Sequence, residues 1–259
     1  MLTGCGGAKT EAPAEDSTDP ASVVKNGTFT VGFDAEFPPY GYMDDNGEYV
    51  GFDLSLAEEV CKRNGWKLKK QPIDWDAKDM ELSSGSIDCI WNGFTINGRE
   101  DAYTWTVPYV DKSQVFVVAA DSGIASQADL AGKTVAVQAD SSALAALEEE
   151  DNKALKDSFG ALNQFADYNT AFMDLEAGAV DSVAMDIGVA NYQMNSRDKG
   201  KFVILDDYLS TEQYGVGFLL GNEALRDVVQ NTLYDMLDDG TFEKIAKQWE
   251  LEDTICLTK

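Results

Sequence analysis

A nine-residue pattern occurs twice in this chain and constrains its fold more than any other feature. The segment LSSGSIDCI at residues 82–90 matches LEAGAVDSV at residues 175–183 as L-x-x-G-x-[IV]-D-x-[IV]. Each copy predicts a helix end, a glycine that stops the helix, and a buried strand. A charged residue follows each copy, Arg99 after the first and Asp186 after the second. Two similar lobes with opposite charges predict a cleft that binds a molecule carrying both signs.

The length and charge of the chain exclude several classes of function. The 259 residues suffice for two lobes of about 100 residues each. The formal net charge of -26 argues against nucleic-acid binding, which needs a basic surface, and is typical of a highly soluble protein. The chain contains no His, which excludes Ser-His-Asp and Cys-His nucleophile systems and His-ligated metals. We expect no cofactor and no metal.

The first residues resemble a membrane anchor followed by a tether. The segment LTGC at residues 2–5 is similar to the end of a bacterial lipoprotein signal peptide, in which the cysteine, here Cys5, is lipidated. Residues 6–22 contain few large apolar side chains, which predicts a flexible segment. We expect residues 1–26 to hold an extracytoplasmic protein at the outer face of the cell membrane. No later run is long and apolar enough to span a membrane.

The other cysteines leave two interpretations open. Cys61 and Cys256 are candidates for a disulfide in an oxidising compartment, and two free buried thiols are the alternative. Cys89 lies in an apolar run and is expected in the core. No two cysteines are spaced as C-x-x-C, which argues against a structural zinc site or a thioredoxin-like redox centre.

Apolar periodicity predicts strands that alternate with helices, which indicates an α/β fold with mainly parallel sheets. A strand is predicted over residues 28–33, and a helix over residues 54–64 with Asp53 as its N-cap and Gly65 as its stop. The two repeats imply two sheets, each in its own lobe, joined by a two-strand hinge with a ligand cleft between them. We expect a discontinuous lobe 1 over residues 27–112 plus 214–259, and lobe 2 over residues 113–213.

A series of segments resembles, in the same order along the chain, the extracytoplasmic amino-acid-binding proteins of ABC importers. They are DAEFPPY (34–40), GFDL (51–54), GSID (85–88), GFTI (93–96) with Arg99, TVPY (106–109), GKTV (132–135), Asp186 and DGT (239–241). The resemblance implies a two-lobed periplasmic-binding-protein-like fold of type II. Such a protein closes on one free amino acid and presents it to a membrane permease.

The resemblance also implies roles for individual residues. Arg99 would bind the ligand's α-carboxylate, since a guanidinium donates two parallel bonds to a carboxylate. Asp186 would accept from the α-ammonium group, a role compatible with capping the following helix. Asp140 departs from the family pattern, which often has glycine there. The other implied ligand-binding residues are Asp34, Phe37, Phe52, Asn92, Gly93, Thr95, Gln138, Ser141 and Ser142.

Several of these residues have a structural alternative. Phe37 and Phe52 are implied as aromatic walls of the ligand site, and core packing is the other interpretation. Ser141 and Ser142 are implied as hydroxyl contacts at the start of a helix, where simple capping is the alternative.

The sequence leaves the ligand's side chain open. Asp34 and Glu36 near aromatic residues favour a cationic side chain such as that of arginine, lysine or ornithine. Asn92 and Gln138 fit glutamine or another neutral polar amino acid equally well. Two other functions compete with transport: a dehydratase-type enzyme on the same scaffold, with Glu36 as its candidate acid or base, and a ligand-binding sensory module. We expect a binding protein, not an enzyme.

Overall fold

The computed structural model describes residues 23–259, so Cys5 and most of the expected tether lie outside the described residues. In chain order the strands are β1 (Thr28–Phe33), β2 (Glu36–Phe37), β3 (Gly41–Met43), β4 (Tyr49–Val50), β5 (Lys67–Pro72), β6 (Cys89–Ile90), β7 (Thr104–Trp105), β8 (Val110–Ala119), β9 (Thr134–Gln138), β10 (Ala161–Phe165), β11 (Ser182–Asp186), β12 (Phe202–Ile204), β13 (Ser210–Tyr214) and β14 (Gly217–Phe218). The α-helices are α1 (Phe52–Asn64), α2 (Lys78–Ser84), α3 (Ser142–Glu148), α4 (Lys153–Ser158), α5 (Tyr168–Ala177), α6 (Ile187–Asn195), α7 (Glu223–Asp238) and α8 (Thr241–Gln248). Among the described helices, none has the length and apolar content needed to cross a membrane.

The first sheet has the strand order β5-β1-β6-β14-β7 and forms the centre of what we call lobe 1. β1 is parallel to both β5 and β6, whereas β14 is antiparallel to β6 and β7. β14 comes from the last quarter of the chain, so two separate stretches of sequence build this sheet. A small three-stranded sheet, β2-β3-β4, accompanies it.

The second sheet has the order β10-β9-β11-β8-β12, with β13 also paired to β8, and forms the centre of lobe 2. β9, β10 and β11 are parallel, and β8 is antiparallel to β11, β12 and β13. Both sheets are therefore mixed, and the expectation of mainly parallel sheets holds for only part of each. Of the two strands that carry the chain between the lobes, β8 runs against the parallel strands, and β13 runs in the same direction as they do.

Two antiparallel strands connect the lobes. β8 carries the chain out of lobe 1 and β13 brings it back, with Cα pairs from Val110 and Tyr214 to Gln114 and Ser210. We call these paired residues the hinge. The expected lobe boundaries, after residues 112 and 213, fall inside these strands and stay a prediction, because a hinge position is defined by motion.

The two copies of the repeat have the same local structure. Gly85 ends α2 and Gly178 ends α5, both in the left-handed conformation with φ of 75° and 73°. The carboxylate of Asp88 accepts a hydrogen bond from the backbone N–H of Thr30 at 2.7 Å, and that of Asp181 accepts from Thr134 at 2.8 Å. Each repeat thus joins a helix stop to the first parallel strand of its own lobe.

Helix α1 begins two residues earlier than expected, and Asp53 is not its N-cap. Gly51 occupies the N-cap position, and Gly65 ends the helix as expected. Asp53 is fully buried in the first turn, where its carboxylate accepts from the backbone N–H of Gly93 at 2.5 Å and from the Tyr109 hydroxyl at 2.8 Å. Burial raises the pKa of Asp53 to about 7. This side chain fixes the cleft loop at Gly93 to the helix behind it.

Of the two interpretations left open for Cys61 and Cys256, the structure has the free thiols and not the disulfide. All three cysteines in the described region are free thiols. Cys61 is buried on the inner side of α1, close enough to Cys89 for the two to interact electrostatically. Cys256 instead lies beside Asp111 at the hinge. The two thiols are therefore in different parts of lobe 1.

Candidate functional site

The lobes meet across a cleft that contains a small central cavity of about 20 Å³. That volume holds about one water molecule. Both lobes and the hinge supply its lining residues, which are Phe37, Trp75, Asn92, Gly93, Thr95, Gln114, Gln138, Ser141, Ser142, Tyr168, Asp186 and Tyr214. Two larger cavities of about 590 Å³ each adjoin it, one lined by Arg99 and the other by Asp34. Most of the implied ligand-binding residues therefore converge on one place.

Asp186 lies at the end of β11, where it is buried and caps α6 as expected. Its Oδ1 accepts from the backbone N–H groups of Gly188 at 2.7 Å and Val189 at 3.0 Å, and its Oδ2 accepts from the Tyr214 hydroxyl. Burial raises the pKa of Asp186, and the nearby ammonium of Lys112 opposes this shift. The carboxylate therefore lies in a setting where an added cation is favourable.

Arg99 reaches across the cleft from a lobe 1 loop. Gly98 precedes it with φ of 76°, a conformation that suits glycine. The guanidinium Nη1 donates to the Ser142 hydroxyl at 3.0 Å and to the carbonyl of Thr95 at 3.4 Å, while Nη2 donates to the carbonyl of Asp140 at 3.2 Å. The side chain therefore contacts two residues that line the central cavity, although Arg99 itself lines the adjoining one.

Ser141 and Ser142 have different contacts at the start of α3. Ser141 is the N-cap, and its hydroxyl accepts from the backbone N–H of Leu144 at 3.2 Å. Ser142 is the first helical residue and accepts from Arg99. Capping therefore accounts for the first hydroxyl, and both side chains also border the central cavity.

Asp34 is the third charged group of the cleft and is buried. Its backbone N–H donates to the Asn92 amide oxygen at 3.0 Å, and its Oδ1 accepts from the backbone N–H of Glu36 at 2.8 Å. Its Oδ2 accepts from the Gln138 amide of lobe 2 at 2.6 Å. Burial raises the pKa of Asp34 to about 6.

Carboxylates line the cavity beyond Asp34. This wall combines residues of both lobes, namely Asp34, Glu36, Asp74, Asp76, Glu81 and Asp167. Burial raises the pKa of Glu36, and the nearby charge of Asp167 adds to the shift. Within residues 23–259, no group of three or more Cys, Asp or Glu side chains is arranged to hold a metal ion. The acidic wall is therefore an electrostatic feature of the cleft and not a metal centre.

The two phenylalanines implied as aromatic walls of the ligand site lie in different places. Phe37 borders the central cavity, with its ring centroid 6.0 Å from that of Tyr168. Phe52 is fully buried against Phe242, at a centroid distance of 6.0 Å, and does not line the cavity. The ligand-wall assignment of Phe52 is wrong, because α1 begins at this residue and turns its side chain into the core of lobe 1.

Gly93 is held at the cavity by its backbone conformation. Its φ is 55°, and a Cβ there would lie 2.8 Å from a ring carbon of Phe37 and 3.1 Å from one of Tyr214. A larger residue would displace the aromatic side chains that border the cavity.

Asp140, which departs from the family pattern, forms an ion pair across the cleft. Its carboxylate binds the ammonium of Lys78, which is almost fully buried at the start of α2. The backbone of Asp140 has φ of 55°, a conformation that suits glycine. Asp140 therefore turns away from the anion-binding groups and towards lobe 1.

Sequence reasoning missed several cleft residues. The aromatic ones are Trp75, Tyr168 and Tyr214, and the polar ones are Gln114 and Glu212. Three of them, Tyr214, Gln114 and Glu212, lie on the hinge strands. The alternation of side chains along a strand predicts which face of the sheet a residue lies on, but not which residues it contacts. Gln114 and Glu212 are polar yet buried, and a buried polar residue in a strand is the signal that points to a site.

Comparison with known proteins identifies the family. The model of the bacterial extracellular solute-binding proteins, family 3, matches residues 29–252. The chain belongs to this family. An L-cystine-binding protein of Bacillus subtilis strain 168 is 29% identical over 97% of this chain and 93% of its own length.

Solved structures of the family have the same fold. An ABC uptake transporter substrate-binding protein from Streptococcus pneumoniae with bound histidine has a TM-score of 0.85 and 33% identity, covering 90% of this chain and 96% of its own. An ancestral arginine-binding protein bound to arginine has a TM-score of 0.78 and 35% identity, covering 86% and 98%. The predicted type II, two-lobed α/β fold is confirmed. The family is extracellular by description, which agrees with an extracytoplasmic location.

Proposed function

We propose that this protein captures a free polar or basic L-amino acid in its interlobe cleft and delivers it to the permease of an ABC importer. One observation carries the proposal: the interlobe cleft has the half-buried guanidinium of Arg99 at one end and the buried carboxylate of Asp186 at the other. An α-amino acid presents a carboxylate and an ammonium group a short distance apart. Paired, desolvated charges give specificity, because an analogue lacking one charge leaves a buried partner unpaired.

A basic ligand side chain best complements the acidic part of the cleft around Asp34. Asp34 and the acidic wall beyond it, with Glu36 and Asp167, attract a cation that extends past the aromatic residues. Arginine, lysine or ornithine is therefore our first expectation. Glutamine is the alternative, because the amides of Asn92 and Gln138 are also at this end.

A ligand must separate groups that now bond to each other. Gln138 donates to Asp34, and Arg99 donates to Ser142. The central cavity is far smaller than an amino acid, so binding requires the lobes to open and close again around the ligand. The closed, loaded form then differs from the open form, which gives a permease a shape to recognise.

A screen of the free L-amino acids tests the proposal. Thermal shift and isothermal titration calorimetry should show that one or a few polar or basic amino acids raise the melting temperature and bind the purified protein. If no amino acid binds at millimolar concentration, the proposed function is wrong.

We infer that the cleft binds its ligand without converting it. A dehydratase needs a general acid or base at the substrate, and Glu36, the candidate, lies exposed at the adjoining acidic cavity and not at the central one. Incubation with prephenate, followed by chromatography, should return the substrate unchanged. Turnover that survives purification and is lost in Glu36→Gln would favour the enzyme.

We also propose that lipidated Cys5 anchors the protein to the outer face of the cell membrane. The support is the LTGC segment and the polar stretch after it. Expression in bacteria with an alkyne-labelled fatty acid should label the full chain but not Cys5→Ala. Equal labelling of both would contradict the anchor.

A further inference from the structure

Gln114 lies on hinge strand β8 directly opposite Asp186. The two residues are Cα partners in the antiparallel pairing of β8 with β11. Side chains at directly opposed positions share one face of a sheet, with Cβ atoms about 5 Å apart. Gln114 is buried and lines the same central cavity as Asp186.

One end of the Gln114 amide has a partner and the other does not. Burial raises the pKa of Glu212, and a hydrogen bond from Gln114 acts in the opposite direction, which places the amide NH₂ towards that carboxylate. The Oε1 atom is buried and accepts no hydrogen bond from any residue that the structure describes. A buried acceptor without a donor is unfavourable, and native proteins seldom keep one without a reason.

Asp186 alone has too few free acceptor positions for an ammonium group. An ionised carboxylate offers about four lone-pair positions, and three here already accept from Gly188, Val189 and Tyr214. An ammonium group has three N–H donors, and each needs an acceptor once it is buried. Another acceptor must therefore lie beside Asp186.

We infer that Oε1 of Gln114 is a second acceptor for the α-ammonium group of the bound amino acid, beside Asp186. The inference rests on the proposed function and names a residue that determines specificity for α-amino acids. A ligand N–H would satisfy the one amide atom of Gln114 that no described residue satisfies. Glu212 holds the amide in the orientation that presents this oxygen.

The charges on this sheet face agree with the inference. Lys112 and Gln114 are two residues apart on β8, and Glu212 is the Cα partner of Lys112, so all three share the face of Asp186. Two carboxylates, Asp186 and Glu212, thus face one ammonium, that of Lys112. A ligand ammonium balances the remaining negative charge, and Gln114 accepts from it without adding another.

Calorimetry on Gln114 variants tests the inference, with L-arginine, L-lysine, L-histidine and L-glutamine as probes. Gln114→Met keeps the side chain's length but removes the acceptor. It should weaken binding of each probe that the wild type binds by roughly tenfold to a hundredfold, the effect of one hydrogen bond to a charged group. Gln114→Asn keeps an uncharged amide oxygen and should retain more affinity than Gln114→Met. Gln164→Met, at an exposed glutamine of β10, should bind normally.

Three outcomes overturn the inference. Affinities of Gln114→Met within twofold of the wild type would show that Oε1 accepts nothing from the ligand. Equal losses in Gln114→Met and Gln114→Asn, together with a lowered melting temperature of both unliganded variants, would show a structural role only. A wild type that binds none of the free L-amino acids of the screen would remove the proposed function itself, and only that result does so.

Discussion

Buried carboxylates dominate the chemistry of individual residues in the cleft. Burial raises the pKa of Asp34, Asp186 and Glu212, because the charged form loses water that the protein replaces only in part. Each of them gains most from a nearby cation. In the proposed function Arg99 is the counterpart for the ligand's negative end, and its contacts with Ser142 and Thr95 orient its side chain.

Arg99→Ala should abolish most amino-acid binding while leaving the fold intact. Losing one partner of a desolvated charge pair costs about 2–5 kcal/mol, so affinity should fall at least roughly thirtyfold. Calorimetry measures the affinity, and circular dichroism checks the fold. Arg63→Ala is the control, since Arg63 pairs with Glu59 and Asp239 on lobe 1, outside the cavity lining. Equal affinity of Arg99→Ala and the wild type would refute the assignment.

Binding of arginine should weaken as pH falls through the pKa of Asp34. The pKa of Asp34 is raised to about 6. Its carboxylate is therefore mostly ionised at neutral pH and mostly protonated at pH values below this pKa. Since the ligand cation needs the ionised form, affinity should drop about tenfold between about pH 7.5 and about pH 5. The nearby charges of Asp167 and Glu36 add to the shift.

Calorimetry at several pH values measures this dependence, with Asp34→Asn and Glu36→Gln as comparisons. Asp34→Asn should bind weakly at every pH and lose most of the dependence, and Glu36→Gln should keep it. An unchanged pH profile in Asp34→Asn would assign the effect to another group.

At the scale of elements, the repeated pattern acts as a structural joint. A glycine in the left-handed conformation ends α2 and α5, and the aspartate three residues later holds the first parallel strand of the same lobe. Arg99 and Asp186, which follow the two copies, are placed at the cleft because each joint directs the chain there. The pattern therefore sets the position of both charged groups without touching the ligand.

Asp181→Ala should lower stability and leave binding unchanged. Its carboxylate satisfies the backbone N–H of Thr134, and loss of this partly buried hydrogen bond costs on the order of 1 kcal/mol. Urea unfolding should show this loss, and Asp88→Ala, which releases Thr30, should show a similar one. Asp181→Asn keeps an acceptor and should recover part of the stability. A loss of affinity without a loss of stability would place Asp181 in the site instead.

For the whole molecule, contacts between the lobes decide how easily the cleft closes. Lys78 of lobe 1 pairs with Asp140 of lobe 2, and Gln138 of lobe 2 donates to Asp34 of lobe 1. The ammonium of Lys78 is buried in the closed form, and separation of the lobes breaks its pair with Asp140. This ion pair therefore holds the closed form together independently of the ligand.

Lys78→Met should shift the unliganded protein towards an open form and weaken amino-acid binding. The Asp140 side chain is half-exposed, so the pair contributes on the order of 1 kcal/mol and affinity should fall about fivefold. Small-angle X-ray scattering should show a larger radius of gyration without ligand. Asp140→Gly should have the same two effects, and glycine fits the backbone conformation of residue 140. Lys156→Met should have neither effect, because Lys156 forms its ion pair within lobe 2. An unchanged radius and affinity in Lys78→Met would show that the pair is dispensable.

The sequence by itself determined the α/β class, the two lobes and the placement of Arg99 and Asp186 after the repeat. These follow from local physics, because helix stops, strand periodicity and turn residues are encoded within a few positions of each other. Strand β1 and the glycine stops at Gly65, Gly85 and Gly178 lie where the pattern puts them.

Only the tertiary structure decided which side chains meet. It placed Phe52 in the core instead of the cleft, put Asp53 behind Gly93, and separated Cys61 from Cys256. It also brought Gln114 to the central cavity and Glu212 to the adjoining one. Each of these contacts joins residues distant in the chain, and its existence depends on how helices and sheets pack. Periodicity gives the face a residue lies on, whereas packing gives its partner.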